Sequence, residues 1–199
     1  SCASCHPNDG RVDGLRWDFA DDGFGNGMNT PTVLYPDKTE PLHRQGTLAT
    51  TRILAKHGLT FTHLLVPTEQ EVDDLVAYMT SLRPDPNPHL TADGQLTAPA
   101  QRGKAVFEGR AECAICHKSP YFTDQALYSV GVITPNYPEA MYKTPPLVEL
   151  YRTAPYLHDG RALTIKDVLT TCNPNDQHGK TSRLSGQEVD DLVAYLLSL

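Results

Sequence analysis

Cys2-Ala3-Ser4-Cys5-His6 opens the chain, and Cys113-Ala114-Ile115-Cys116-His117 repeats the pattern past its middle. Two cysteines at this spacing can fix one edge of a haem through thioether bonds, and the adjoining histidine turns beneath the ring to bind iron. A zinc site needs four ligands at one centre, and each motif offers three. The histidine directly after the second cysteine decides between the readings. We therefore read two haem c groups. Cys2 and Cys5 attach the first, with His6 as proximal ligand; Cys113 and Cys116 attach the second, with His117 as proximal ligand. Cys172 is left over.

A second repeat works outward from the first. Gln70-Glu71-Val72-Asp73-Asp74-Leu75-Val76-Ala77-Tyr78-Met79-Thr80-Ser81-Leu82 returns as Gln187 to Leu199, with only Met79 and Thr80 changed. Val72, Leu75, Val76 and Met79 fall at i, i+3, i+4 and i+7, with acids opposite, which predicts an amphipathic core-facing helix. Two modules of one plan thus follow each other, each running from haem motif to terminal helix. A helix over Ala98 to Glu108 leads into Cys113; the first module shows no counterpart. Arg83-Pro84-Asp85-Pro86-Asn87-Pro88 reads as an irregular linker. The expected division is a first domain at 1–83, a linker at 84–96 and a second domain at 97–199. The expected class is mainly α with long loops, the haems lying between helices and supplying much of the apolar core.

The 199 residues are 39% hydrophobic and carry a net charge of −7. That balance disfavours nucleic acid and anionic membranes as partners and suits a basic redox protein. No apolar run reaches the length of a bilayer span. Covalent haem attachment takes place outside the cytoplasm, so an exported, periplasmic location is expected. The chain starts one residue before a haem cysteine and lacks a first leading helix, so a longer polypeptide or an assembly is expected.

Function turns on the second ligand of each iron, because an iron with two protein ligands mainly passes electrons, whereas a five-coordinate one binds small molecules. For the first haem the candidates are His63, in the apolar run Leu59 to Val66, together with Met28 and His57. For the second they are His178, in the loop before the last helix, and Cys172, Met141 and His158. Met79 reads as core, and His43 and His89 as surface.

Asn29-Thr30-Pro31-Thr32 and Thr153-Ala154-Pro155-Tyr156-Leu157-His158-Asp159-Gly160, with Thr144-Pro145-Pro146-Leu147 before it, resemble the bacterial di-haem cytochrome c peroxidases and the related di-haem oxidases of methylamine utilisation. The resemblance covers nearly the whole chain in motif order. It implies two tandem cytochrome c folds about a pseudo-twofold axis. It also implies a calcium ion held by the Asn29 side chain and the carbonyls of Thr153 and Pro155, oxygen ligands that suit calcium. The second haem would be the electron entry site and the first the site of peroxide reduction. The departures are specific. The family's switchable distal histidine falls on Gly23-Phe24-Gly25, its inter-haem tryptophan stretch on Leu42-His43-Arg44, and its catalytic glutamate near Leu64-Leu65-Val66. Its distal methionine falls on Cys172.

The expected function is electron transfer between two haems, with a small cytochrome or cupredoxin as partner. The rival is a peroxidase or oxidase, in which His63 is the nominee for acid–base work over the first iron. A haem-based sensing or interaction domain is the third reading.

Overall fold

The computed structural model describes residues 1–18, 27–133 and 141–199. In order, its elements are α1 (Pro7–Gly10), β1 (Arg16–Trp17), β2 (Met28–Asn29), α2 (Thr51–His57), α3 (Glu69–Ser81), α4 (Ala98–Glu108), β3 (Leu127–Tyr128), β4 (Tyr142–Lys143), α5 (Ile165–Leu169) and α6 (Gly186–Leu197). The two haem motifs form 3-10 turns at Cys2–Ser4 and Cys113–Ile115. The run Gly23-Phe24-Gly25 lies outside the described residues.

The helices start where side chains can satisfy their first amides. In α3 the Thr68 amide donates to Glu71 Oε2 (2.7 Å) and the Glu71 amide to Thr68 Oγ1 (3.2 Å). Ser185 and Glu188 do the same for α6, at 2.8 and 3.2 Å. Such reciprocal caps settle both orphan donors at the helix entrance.

The largest core lies in the C-terminal half, where α4 crosses α6. Phe107, 2% exposed, packs edge-on against Tyr195 and Phe122, among Ala100, Val106, Ile165, Leu169, Val189, Leu192 and Leu196. Arg102 clamps Asp191 with two 2.7 Å hydrogen bonds. The crossing is closest at Gly103, where a Cβ would stand 1.9 Å from the Asp191 carbonyl oxygen. Backbone cannot yield at that distance without parting the helices. Gly103→Val is therefore expected to cost about 3 kcal/mol or more, read as a lowered urea midpoint; a loss below about 1 kcal/mol would contradict the close crossing.

The N-terminal half has a smaller core of Ala55, Val72 and Met79, flanked by Val33, Leu54, Leu59, Leu75 and Val76. The repeated helix thus meets two environments. Tyr195 of α6 is 4% exposed, but its counterpart Tyr78 of α3 is 49% exposed. Asp191 is buried and its counterpart Asp74 is exposed. The difference is the neighbour: among the described residues no helix crosses α3 as α4 crosses α6.

The same plan recurs in the loops. The antiparallel pairs β1–β2 and β3–β4 follow the two haem motifs, and the bridge Leu42–Leu48 is matched by Tyr156–Ala162. The halves join reciprocally: the Asn29 amide donates to the His158 carbonyl at 2.9 Å, and the Lys143 amide to the Arg44 carbonyl at 2.7 Å. A buried ion pair adds to this junction. Arg11 Nε donates to Glu149 Oε2 at 3.0 Å and Arg11 Nη2 to Glu149 Oε1 at 3.1 Å. The proline-rich stretch carries little regular structure, as its composition predicts, yet it is tied down. Asn87 Nδ2 donates to the Leu197 carbonyl at the end of α6 (3.0 Å), and the Asp85 amide to Glu149 Oε1 (2.6 Å).

Candidate functional site

The C-terminal site is built from two loops that face each other. His117 follows the 3-10 turn of its motif, and its amide donates to the Cys113 carbonyl at 2.9 Å. Its Nδ1 lies 2.8 Å from the Phe122 carbonyl oxygen. A carbonyl can only accept, so Nδ1 carries the proton and Nε2 keeps its lone pair free. Burial lowers the His117 pKa, which keeps the ring neutral.

His178 stands across from it, held by an ordered loop. Buried Asn173 donates through Nδ2 to the carbonyls of His178 (2.9 Å) and Gly179 (3.1 Å) and to Thr181 Oγ1 (2.8 Å). Its Oδ1 accepts the His178 amide at 2.9 Å. Asp176 accepts the amides of Thr181 and Ser182, both at 2.9 Å. Gly179 has φ +78°, and a Cβ there would lie 3.0 Å from the Ala111 carbonyl oxygen. Glycine therefore lets this loop press against the haem motif. Burial, then the proximity of His117, pushes the His178 pKa down to about 4.

The His117 and His178 ring centroids are 6.2 Å apart. Two imidazoles bound to one metal, each nitrogen about 2 Å from it and each centroid about 1 Å further, would sit about 6 Å apart. The spacing fits one iron between two histidines. Cys172, the rival candidate, has other surroundings: its amide donates to the Asp167 carbonyl (2.8 Å), and the charged groups around its thiol are Arg161, Asp167 and Asp159. Burial raises its pKa.

The N-terminal site differs. The His6 amide donates to the Cys2 carbonyl at 2.8 Å, as in the second motif, and His6 Nδ1 is buried without a hydrogen-bond partner. Burial again lowers this histidine's pKa. His63 lies with Nε2 3.4 Å from Cys2 Sγ, beside the thioether edge of the motif. It follows a π-helical turn at Gly58–Thr62 that the sequence reading missed. Counting back from the repeated helix, the position matching His178 is Phe61, which stacks on His57 at 4.7 Å. Phenylalanine has no lone pair to offer iron. Met28 is on β2, opposite Trp17.

No disulfide joins either Cys-x-x-Cys pair, so all four of these sulfurs are available to attach haem. Leu15, Phe61, Leu64 and Leu65 in one half, and Ile115, Leu127 and Met141 in the other, expose large apolar surfaces. A flat apolar macrocycle at each motif suits such surfaces. Of the calcium candidates, Asn29 and Pro155 come together: Asn29 Nδ2 contacts the Pro155 carbonyl and lies 3.1 Å from the Leu157 carbonyl. The Leu157 carbonyl is the second acceptor on that side chain. A backbone oxygen leaves no mark in a sequence, so Leu157 had no signal to find it by.

A cytochrome c family profile matches residues 100–199. The gamma subunit of hydrazine synthase from Kuenenia stuttgartiensis is 29% identical, over all of this chain and 72% of the relative. The methylamine utilisation protein MauG of Methylorubrum extorquens is 32% identical, over 55% of this chain and 37% of that protein. A solved structure of the Kuenenia hydrazine synthase superposes with a TM-score of 0.91 at 26% identity, covering all of this chain and 81% of its own.

Proposed function

We propose, starting from the fact that this chain belongs to the cytochrome c family and is a di-haem c-type cytochrome related to the MauG and cytochrome c peroxidase proteins, that its two haems have divided roles. The C-terminal haem, on Cys113 and Cys116, is a six-coordinate electron relay between His117 and His178. The N-terminal haem, on Cys2 and Cys5, has His6 as its single strong ligand. Haem iron supplies one-electron exchange and, where a coordination position stays open, binding of a small molecule. The observation that carries this reading is the 6.2 Å spacing of the His117 and His178 rings, with Phe61 at the matching place in the first half.

The residues then have distinct tasks. Phe122 fixes the tautomer of His117, and Asn173 holds the loop that presents His178. His178 stays a neutral donor because burial disfavours its protonated form. This division favours electron transfer as the main activity, as the sequence reading expects. Phe61 also favours the second reading, an oxidoreductase that reduces a peroxide-class substrate at the first haem. In that case His63, at the rim beside Cys2, is the nearest group able to move a proton.

The two cytochrome c folds are assigned to residues 1–83 and 97–199, pseudo-twofold related, with 84–96 between them. The reciprocal amide pairs at Asn29–His158 and Lys143–Arg44 support that symmetry. Calcium at Asn29, Thr153 and Pro155 is part of the proposal, as are export to the periplasm and a small redox protein as electron partner. The described residues contain no helix long and apolar enough to cross a membrane. The similarity to a synthase subunit adds membership of a larger assembly.

Spectroscopy of the purified protein tests the division of roles. One low-spin haem inert to carbon monoxide and one high-spin haem that binds it are expected. Two low-spin haems, both inert to carbon monoxide, cyanide and peroxide, would sink the open-site part and leave electron transfer alone.

A further inference from the structure

Between the two halves lie two cations that, among the described residues, have no salt-bridge partner. Arg44 Nη2 is sealed from solvent and has no hydrogen-bond partner. Buried Lys143 donates through Nζ only to the neutral Thr39 carbonyl, at 2.6 Å. Among the described residues neither cation forms a salt bridge. The nearest acid in the junction is Asp159, and Arg161 already occupies it through Nε, at 2.7 Å. His158 is buried beside them, stacked on Tyr142 at 4.3 Å, and its Nε2 is also without a partner. Burial drives the Arg44 pKa down to about 10 and that of His158 to about 4. In both groups the loss of hydration outweighs the attraction of Asp159.

The placement is symmetric. Arg44 and His158 occupy matching turns of the two halves, since the carbonyl of each accepts an amide from the β-ribbon of the other half. A buried guanidinium nitrogen with no partner is a charged donor suited to a carboxylate. Each haem c carries two propionate carboxylates, and the family assignment places two haems on this chain.

We propose that Arg44 binds a haem propionate carboxylate at the junction between the two halves. Lys143 adds positive charge beside it, and His158 is the matching contact from the other half. The arrangement ties the electrostatics of at least one haem to the interface. It rests on the haem assignments above, and the occupant is the propionate rather than a free anion. An internal carboxylate explains why two cations can stay buried at neighbouring places although, among the described residues, neither has an acid partner of its own and the Asp159 carboxylate is taken by Arg161.

The test uses the haem-loaded protein. Two haems per chain, counted as pyridine haemochromogen, checks the cofactor assignment separately; fewer than two would remove the proposal with it. Arg44→Gln removes one positive charge near iron, which favours the oxidised state. The reduction equilibrium of at least one haem should fall about tenfold, a shift of about 59 mV for a one-electron couple. The propionate bending band in the resonance Raman spectrum should move with it. Arg44→Lys keeps the charge and should retain most of the potential. If Arg44→Gln does not mature, Arg44→Lys carries the test through the propionate band: a displaced band at full haem content supports the contact. Unchanged potentials and an unchanged band overturn it. So does a wild-type potential that follows added inorganic phosphate while the propionate band stays fixed, because that outcome assigns Arg44 to a free anion.

Discussion

His178→Ala is expected to turn the C-terminal haem from low-spin to high-spin and to open it to carbon monoxide, adding about one equivalent bound per chain. The direction follows from the geometry. His117 and His178 face each other at 6.2 Å. Alanine removes the donor without removing the loop, because Asn173 holds that loop through the backbone of residues 178 and 179 and the hydroxyl of Thr181. Added imidazole should therefore enter the vacated position and restore the low-spin spectrum, which a merely unfolded loop would not allow. Asn173→Ala is the intermediate case: the ligand remains and its positioning weakens, so partial high-spin character is expected. Cys172→Ala should leave the spectrum as it is. A spectrum that changes with Cys172→Ala and stays constant with His178→Ala would reverse the assignment.

The proposed ligand pair also shows what the chain discloses before folding. His117 is legible because covalent attachment demands a rigid local spacing, and His178 because its loop stands just before a helix that the repeat predicts. Helices α3, α4 and α6 are legible for a similar reason, since their apolar faces are periodic and local. The surroundings of the first haem were harder to read. His63 sits in an apolar run and reads as a residue facing haem; the fold puts its Nε2 3.4 Å from Cys2 Sγ, directly after a π-helical turn. A turn closed by i→i+5 hydrogen bonds has no compositional signature. Phe61 became visible as the counterpart of His178 only once the two terminal helices were aligned. Arg44 was noticed as a departure from a family pattern, but its lack of a partner depends on contacts between distant segments. The Leu157 carbonyl near Asn29 belongs to the backbone and could not be read from residue types at all.

The hardest contact to foresee has a large expected effect on stability. Glu149→Ala should destabilise the haem-loaded protein by about 3 kcal/mol, the low end of the cost of breaking a buried pair, because the exposed Asp85 carboxylate, 3.4 Å from Arg11 Nη2, remains as a weaker partner. Arg11 is 5% exposed and Glu149 3%. The guanidinium is fully engaged: Nη1 donates to the Asp9 carbonyl at 2.8 Å, Nη2 to the Arg83 carbonyl at 2.9 Å, and Nε and Nη2 to the two Glu149 oxygens. Glu149 also accepts the Asp85 amide, so one carboxylate joins the turn after the first haem motif, the proline-rich stretch and the second half. Arg11 follows His6 by five residues, so loosening this joint should also broaden the geometry of the first haem. Urea unfolding of Glu149→Ala measures the cost. The double variant Arg11→Met with Glu149→Leu separates the lost pair from the stranded charge. It should recover most of the stability, because neither ion is then left buried alone. A single-variant loss below about 1 kcal/mol would show that water reaches the joint and that the halves are held elsewhere.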